Sequence, residues 1–207
     1  MSADRNHIKV FVSSTVYEFE TELSRVFAQL DGYGYDVCMS KEGTVPLNSR
    51  LSNLVNCVKS VEECDVFLGI IRPLLGTGIL EPDGRSITAQ EFDTAFHKNM
   101  LRFILADYRV EFAHKFLNLM EQDLSAIPYY KAKKYDKDGM MIIERKPNLV
   151  IHRECVELYR LAIQNSIRPP KNRVGNWAQP YKDYEDISRF VEAQFKNVER
   201  IKTMFNG

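Results

Sequence analysis

Apolar residues recur at Val16, Phe19, Leu23, Val26, Phe27 and Leu30, the spacing of one helix face. Just upstream, Ile8 to Val12 is a short β-branched and aromatic run that ends in Ser13-Ser14-Thr15. It predicts a strand, and Thr15 with Glu18 matches the capping-box spacing that starts a helix. Asp31-Gly32-Tyr33-Gly34 predicts the end of that helix, and Tyr35 to Met39 a second strand. Leu51, Leu54, Val55, Val58 and Val61 mark a second amphipathic helix, followed by a strand over Asp65 to Ile71. Within it, Val66 to Ile71 is an unbroken apolar run, as in the middle of a parallel sheet. A loop from Leu74 to Arg85 carries Gly76, Gly78, Pro82 and Gly84. The pattern then predicts a third helix from Thr88 to about Asn99, a fourth strand over Leu101 to Ala106 and a fourth helix over Glu111 to Leu124.

This alternation predicts an α/β fold, a parallel sheet with helices on both faces. Right-handed crossovers make a flavodoxin-like arrangement the economical one. The rest is less regular. Tyr129 to Tyr135 and Met140 to Arg145 flank Asp136-Lys137-Asp138-Gly139, a hairpin turn signal. Ile151, Cys155, Leu158 and Ala162 suggest another helix, and Ser166 to Tyr181 a loop holding the sole Trp, Trp177. Tyr184 to Phe205 reads as one helix, with Ile187, Phe190, Val191, Gln194, Val198 and Ile201 on one stripe. The expected organisation is an α/β domain over 1–125 and a C-terminal extension over 126–207, hairpin and helices, packed on it.

Composition narrows the setting. Lys plus Arg equals Asp plus Glu, 28 each in 207 residues, which gives no net pull towards nucleic acid or anionic membrane. No apolar run is long enough to span a bilayer, and Met1 to Lys9 lacks the apolar core of a signal peptide. Cys38, Cys57, Cys64 and Cys155 have no paired spacing, as expected of buried thiols in a reducing cytosol. A cytoplasmic globular protein is the expectation.

Some chemistries are excluded by motif. Gly76-Thr77-Gly78 lacks a third Gly and a following Gly-Lys-Ser/Thr, so neither dinucleotide fingerprint nor P-loop is met. His7, His97, His114 and His152 are scattered, so no metal is expected. Gly-x-Ser-x-Gly is absent. Three features remain, all expected at the carboxyl edge of the sheet, where open α/β folds bind ligands. Ser13 and Ser14 lie where strand one turns into helix one, a place for phosphate or ribose oxygens or simply an N-cap. Glu42 follows strand two as a site carboxylate or an exposed loop charge. Glu91 closes Thr88-Ala89-Gln90-Glu91, itself a capping-box pattern, so it is either a catalytic carboxylate or a helix cap.

Ile8-Lys9-Val10-Phe11-Val12-Ser13-Ser14-Thr15, Glu42, Glu63-Cys64-Asp65-Val66-Phe67-Leu68-Gly69 and Ser86-x-Thr88-x-x-Glu91-Phe92 together resemble a TIR-like family, domain of unknown function 4062. The last segment also resembles the glutamate-bearing stretch of nucleoside 2-deoxyribosyltransferases, a related flavodoxin-like fold. The chain lacks the Trp-Cys-x-x-Glu setting of typical TIR enzymes, and Arg72-Pro73-Leu74-Leu75-Gly76 stands where the closer family has Arg-Tyr-Gly. The resemblance implies cleavage of the nicotinamide–ribose bond of NAD, with NAD as substrate and no cofactor. It further implies a nucleotide signal read by a separate effector protein, as in Thoeris-type antiphage defence. Glu91 would stabilise or trap the oxocarbenium-like ribose. Phe11, Tyr17 or Phe92 would stack on the nicotinamide, and Arg72 would hold phosphate or pair with a surface carboxylate; Thr88 joins the substrate-binding set. Two alternatives stand beside it: nucleoside or nucleotide deoxyribosyl transfer, and a non-catalytic interaction module. In the module, the C-terminal helix stripe serves as a dimer face or packs on its own domain.

Overall fold

The computed structural model describes residues 7–74, 85–119, 134–135, 141–142, 151–167 and 169–205. Five strands form one parallel sheet in the order β2-β1-β3-β4-β7: β1 (Lys9–Ser14), β2 (Asp36–Cys38), β3 (Val66–Ile71), β4 (Leu101–Asp107) and β7 (Ala178–Tyr181). With the last strand counted fifth, this is the flavodoxin-like order, whose direction reverses between β1 and β3. The predicted α/β class therefore holds.

Period-two alternation in the strands sorts the core into two layers even though both sets of residues are apolar. Val10, Val12, Val66, Leu68, Ile70 and Leu105 face one cluster, which is closed by α1 (Glu20–Gly32), α6 (Tyr184–Phe195) and α7 (Val198–Phe205). Phe11, Phe67, Ile71, Ile104 and Ala106 face the other, closed by α2 (Asn53–Glu63), α3 (Ile87–His97) and α5 (Arg153–Ala162). Val110 of α4 (Tyr108–Leu119) joins that second cluster. β5 (Lys134–Tyr135) and β6 (Met141–Ile142) pair antiparallel, as the hairpin signal predicts, although its turn at 136–139 lies outside the described residues. The predicted loop glycines Gly76, Gly78 and Gly84 and the predicted end of α4 at Leu124 also lie outside them.

Three local predictions are corrected. First, α1 begins at Glu20, not after Thr15, because residues 15–19 form a loop in which Glu18 takes a left-handed φ of 54°. The Glu20 carboxylate accepts from the Phe19 N–H at 3.0 Å. Second, the C-terminal helix is two helices. Asn197 accepts from the Arg200 N–H at 3.0 Å and so caps α7, the competition with the helix backbone that Asn side chains favour. Third, the end of the predicted 166–181 loop is a strand. β7 pairs with β4 from Ile104↔Ala178 to Asp107↔Tyr181, so the sheet is completed by a strand from beyond residue 125.

Candidate active site

The second face of the sheet changes character at its carboxyl edge. Phe11 and Phe67 stack there with ring centroids 6.2 Å apart, and the next inward positions on those two strands are Ser13 and Gly69, which are register partners. Bulk gives way to a hydroxyl and a hydrogen. Into that space comes Phe92 of α3, edge-on to Phe67 at 5.0 Å. A Cβ on Gly69 would collide with the Phe92 ring and would also lie 2.9 Å from Phe67 Cε1. Gly69 thus lets α3 lie close on the sheet and brings Glu91, the neighbour of Phe92, over Ser13.

The start of α3 decides how Glu91 is used. Its N-cap is Ser86, whose Oγ accepts from the Ala89 N–H at 3.1 Å. The Thr88-to-Glu91 capping box is therefore a misreading. Glu91 sits in the second turn and is released from the end of the helix. The reach-back carboxylate of a capping box comes instead from another helix: Glu154 of α5 accepts from the Ser86 N–H at 3.0 Å and from the Ser86 hydroxyl. Both side chains are buried, and burial raises the Glu154 carboxyl above its ordinary range despite those bonds.

Glu91 is itself only 5% exposed. Ser13 Oγ donates to its Oε2 at 2.5 Å, and the buried Cys57 of α2 lines the cavity that Glu91 borders. Burial pushes the Glu91 pKa up to about 7, and the Ser13 hydrogen bond opposes that rise. Glu91 forms part of the wall of a cavity of ≈ 300 Å³. The β1–α1 loop (Ser14, Thr15, Val16), the turn after β2 (Ser40, Gly43, Val45, Leu47) and the first turns of α2 and α3 (Asn53, Ile87, Thr88) complete the wall with Cys57. Two helix N-termini therefore present their partial positive charge to the cavity. None of its lining side chains among the described residues is cationic.

The other sequence candidates fall into two groups. Ser13, Ser14, Thr88 and Glu91 come together at the cavity. Phe11, 1% exposed, and Phe92, fully buried, are not available for stacking on a ligand; their rings are core, where they pack on Phe67. Tyr17 is 61% exposed and lies outside the cavity wall. Glu42 also stays outside that wall; its carboxylate accepts from Ser24 at 2.5 Å and Lys41 at 3.1 Å. Arg72 is spent on structure. It donates to the carbonyls of Thr15, Tyr17 and Glu18, and its guanidinium lies 4.5 Å from the Phe19 ring centroid. It thereby holds the left-handed Glu18 and the loop that forms one wall of the cavity.

Several contributors were not singled out by sequence reasoning. Cys57 lies on the buried stripe of α2 and looks like any core thiol. Asn53, Ser40 and Gly43 sit in or beside turns whose direction only the fold sets. Glu154 is hidden by its distance in sequence from Ser86. The α5 segment braces this edge in two further ways: His152 N–H donates to Pro73 O at 2.9 Å, and Cys155 Sγ lies 3.5 Å from Leu74 O. Among the described residues no three His, Cys, Asp or Glu side chains converge as metal ligands.

The family profile described as Domain of unknown function (DUF4062) matches residues 9–148. No curated protein matches the chain. Among solved structures, a conserved protein from Enterococcus faecalis V583 aligns over 91% of this chain and 99% of its own, with 11% identity and a TM-score of 0.43.

Proposed function

This chain belongs to the family described as Domain of unknown function (DUF4062), and from its site we propose N-glycosidic cleavage, with NAD as substrate and Glu91 as the catalytic carboxylate. The observation that carries the reading is a single buried carboxylate, held by Ser13, in the wall of a cavity at the ligand edge of the sheet. Breaking the bond between a ribose and its base leaves positive charge on the sugar. A carboxylate in a dry site stabilises that charge far better than water does, or traps it as a covalent ester. The helix N-termini of α2 and α3 offer N–H groups to ribose or phosphate oxygens. Its ≈ 300 Å³ volume lies at the lower end of ligand pockets, about 300–1,000 Å³. The nicotinamide riboside half of NAD would occupy it, with the remaining nucleotide outside. The ADP-ribose product would serve as a signal to a separate effector protein.

A second reading, deoxyribosyl transfer between nucleosides, is favoured by the same small volume and by the lack of cationic side chains in the described lining. One experiment separates the two. Purified protein is incubated with NAD, with and without extract of phage-infected cells, and in parallel with a deoxynucleoside plus a free base; products are followed by chromatography. Nicotinamide release that disappears in Glu91→Gln supports NAD cleavage, and base exchange supports the second reading. Equal turnover by Glu91→Gln removes Glu91 from either mechanism. Because the reacting carboxylate must be ionised, turnover is expected to rise through pH 7 with an acid limb near the Glu91 pKa.

A further inference from the structure

Helix α4 is apolar on two opposite sides. Its inner side is ordinary core: Val110 joins the second layer and Leu117 packs with Val156 of α5. On the outer side Tyr108, Phe112 and Phe116 follow one another at i, i+4 spacing, and they are 45%, 66% and 48% exposed. The Phe112 and Phe116 rings stack with centroids 6.2 Å apart, so the row is continuous. A helix with apolar residues on both sides belongs inside an assembly, because a row of aromatic rings is poorly solvated wherever nothing covers it. We propose that this row is the contact face between two copies of the chain, packed as an antiparallel pair of α4 helices about a two-fold axis.

The charges beside the row select this occupant. Glu111 and Lys115 flank it on one side and pair with each other at 2.5 Å, the Lys115 side chain being 65% exposed. A two-fold axis between antiparallel helices brings the same flank of each together, with the sequence running in opposite directions. Glu111 of one copy then faces Lys115 of the second copy, and the reverse holds at the symmetric position. A parallel pair would oppose Glu111 to Glu111 and Lys115 to Lys115. The antiparallel register also gathers the Phe112 and Phe116 rings of both copies at the centre. On the other flank Arg109 is neutralised by both oxygens of Asp107. An aromatic side chain buries about 150–250 Å², so at these exposures the three rings offer roughly 300 Å² per copy. A standard interface takes about 800 Å² from each partner. The rings therefore form the centre of a small interface with a polar rim, and the expected dimer is reversible rather than obligate.

Sedimentation velocity of the full chain, from low to high micromolar concentration, tests this. The wild type is expected to pass from monomer to dimer, and Phe112→Ser to weaken association about tenfold or more. Glu111→Lys and Lys115→Glu each weaken it as well. Mixing those two variants restores it, since an all-basic flank then meets an all-acidic one. Thermal unfolding of each variant reports that it is folded, and the charge variants decide the matter even where Phe112→Ser does not fold. A wild-type chain that stays monomeric throughout overturns the proposal, as does a dimer unaffected by Phe112→Ser in a folded chain. Folded charge variants that dimerise like wild type, or a mixture that associates no better than either variant alone, overturn the antiparallel pairing on which it rests.

Discussion

Glu91 meets two opposed demands, since the burial that makes it useful for chemistry also makes its charge costly to the fold. Its pKa of about 7 lies above the ordinary 4.5, so the folded chain binds a proton there more tightly than the unfolded chain. The penalty is absent below pH 4.5, grows as pH rises through 7, and is complete above it. It amounts to on the order of 3 kcal/mol. Glu91→Gln carries no such charge. Urea denaturation from pH 5 to pH 8 should therefore show wild type losing stability relative to this variant, and parallel curves would refute the assignment. At this scale much of the site was legible. Ser13, Ser14, Thr88 and Glu91 stand at strand-to-helix junctions, and junctions at one sheet edge converge. Phe11 and Phe92 were misassigned because period two and period 3.6 place both rings inward, which a junction argument does not see. Glu154 left no local signal, since it acts on Ser86, far away in sequence.

At the scale of elements, α3 is aimed by two contacts that neither the helix nor its own stripe supplies. One is the Ser86–Glu154 pair. Losing a cap costs about 0.5–2 kcal/mol, and stranding a buried polar partner about 1–3 kcal/mol. Ser86→Ala and Glu154→Ala are each expected to destabilise the chain, and the double variant by clearly less than the sum. Additive effects in chemical denaturation would mean that the two residues act separately. The other contact is the bare face of Gly69. Gly69→Ala forces the Phe92 ring to shift, at a cost of about 1–3 kcal/mol, and moves α3 with it. Loss of thermal stability together with displaced Glu91 resonances is the expected result. Helix existence was readable from apolar periodicity, but helix starts were not. Several Ser, Thr and Glu residues near 15–18 and 86–91 satisfy the same capping rule. Contacts from Arg72 and Glu154 select among them.

Over the whole molecule, the sheet draws its fifth strand from residues 178–181, and α6 packs on α1 across the face that β1 and β3 share. A chain stopped at residue 125 would leave β4 with an open edge, α1 without α6, and Ser86 without Glu154. Such a fragment is expected to lose cooperative thermal unfolding and to be cut rapidly by protease; a sharp transition matching the full chain would contradict this. The alternation that predicted the class stopped being readable where the chain leaves the sheet. β7 is only four residues long and contains Pro180, a composition that by itself favours a loop and is tolerated at a sheet edge.

That late strand also sets an order of events during synthesis. At about 5–20 residues per second, several seconds separate the appearance of Asp107 from that of Tyr181. Through that interval the nascent chain carries four strands with β4 as an unguarded margin, the kind of surface that chaperones shield and neighbouring chains on a polysome can join. Glu154 emerges within the same interval, so the brace on Ser86 that aims α3 is added only after the first four strands have been made.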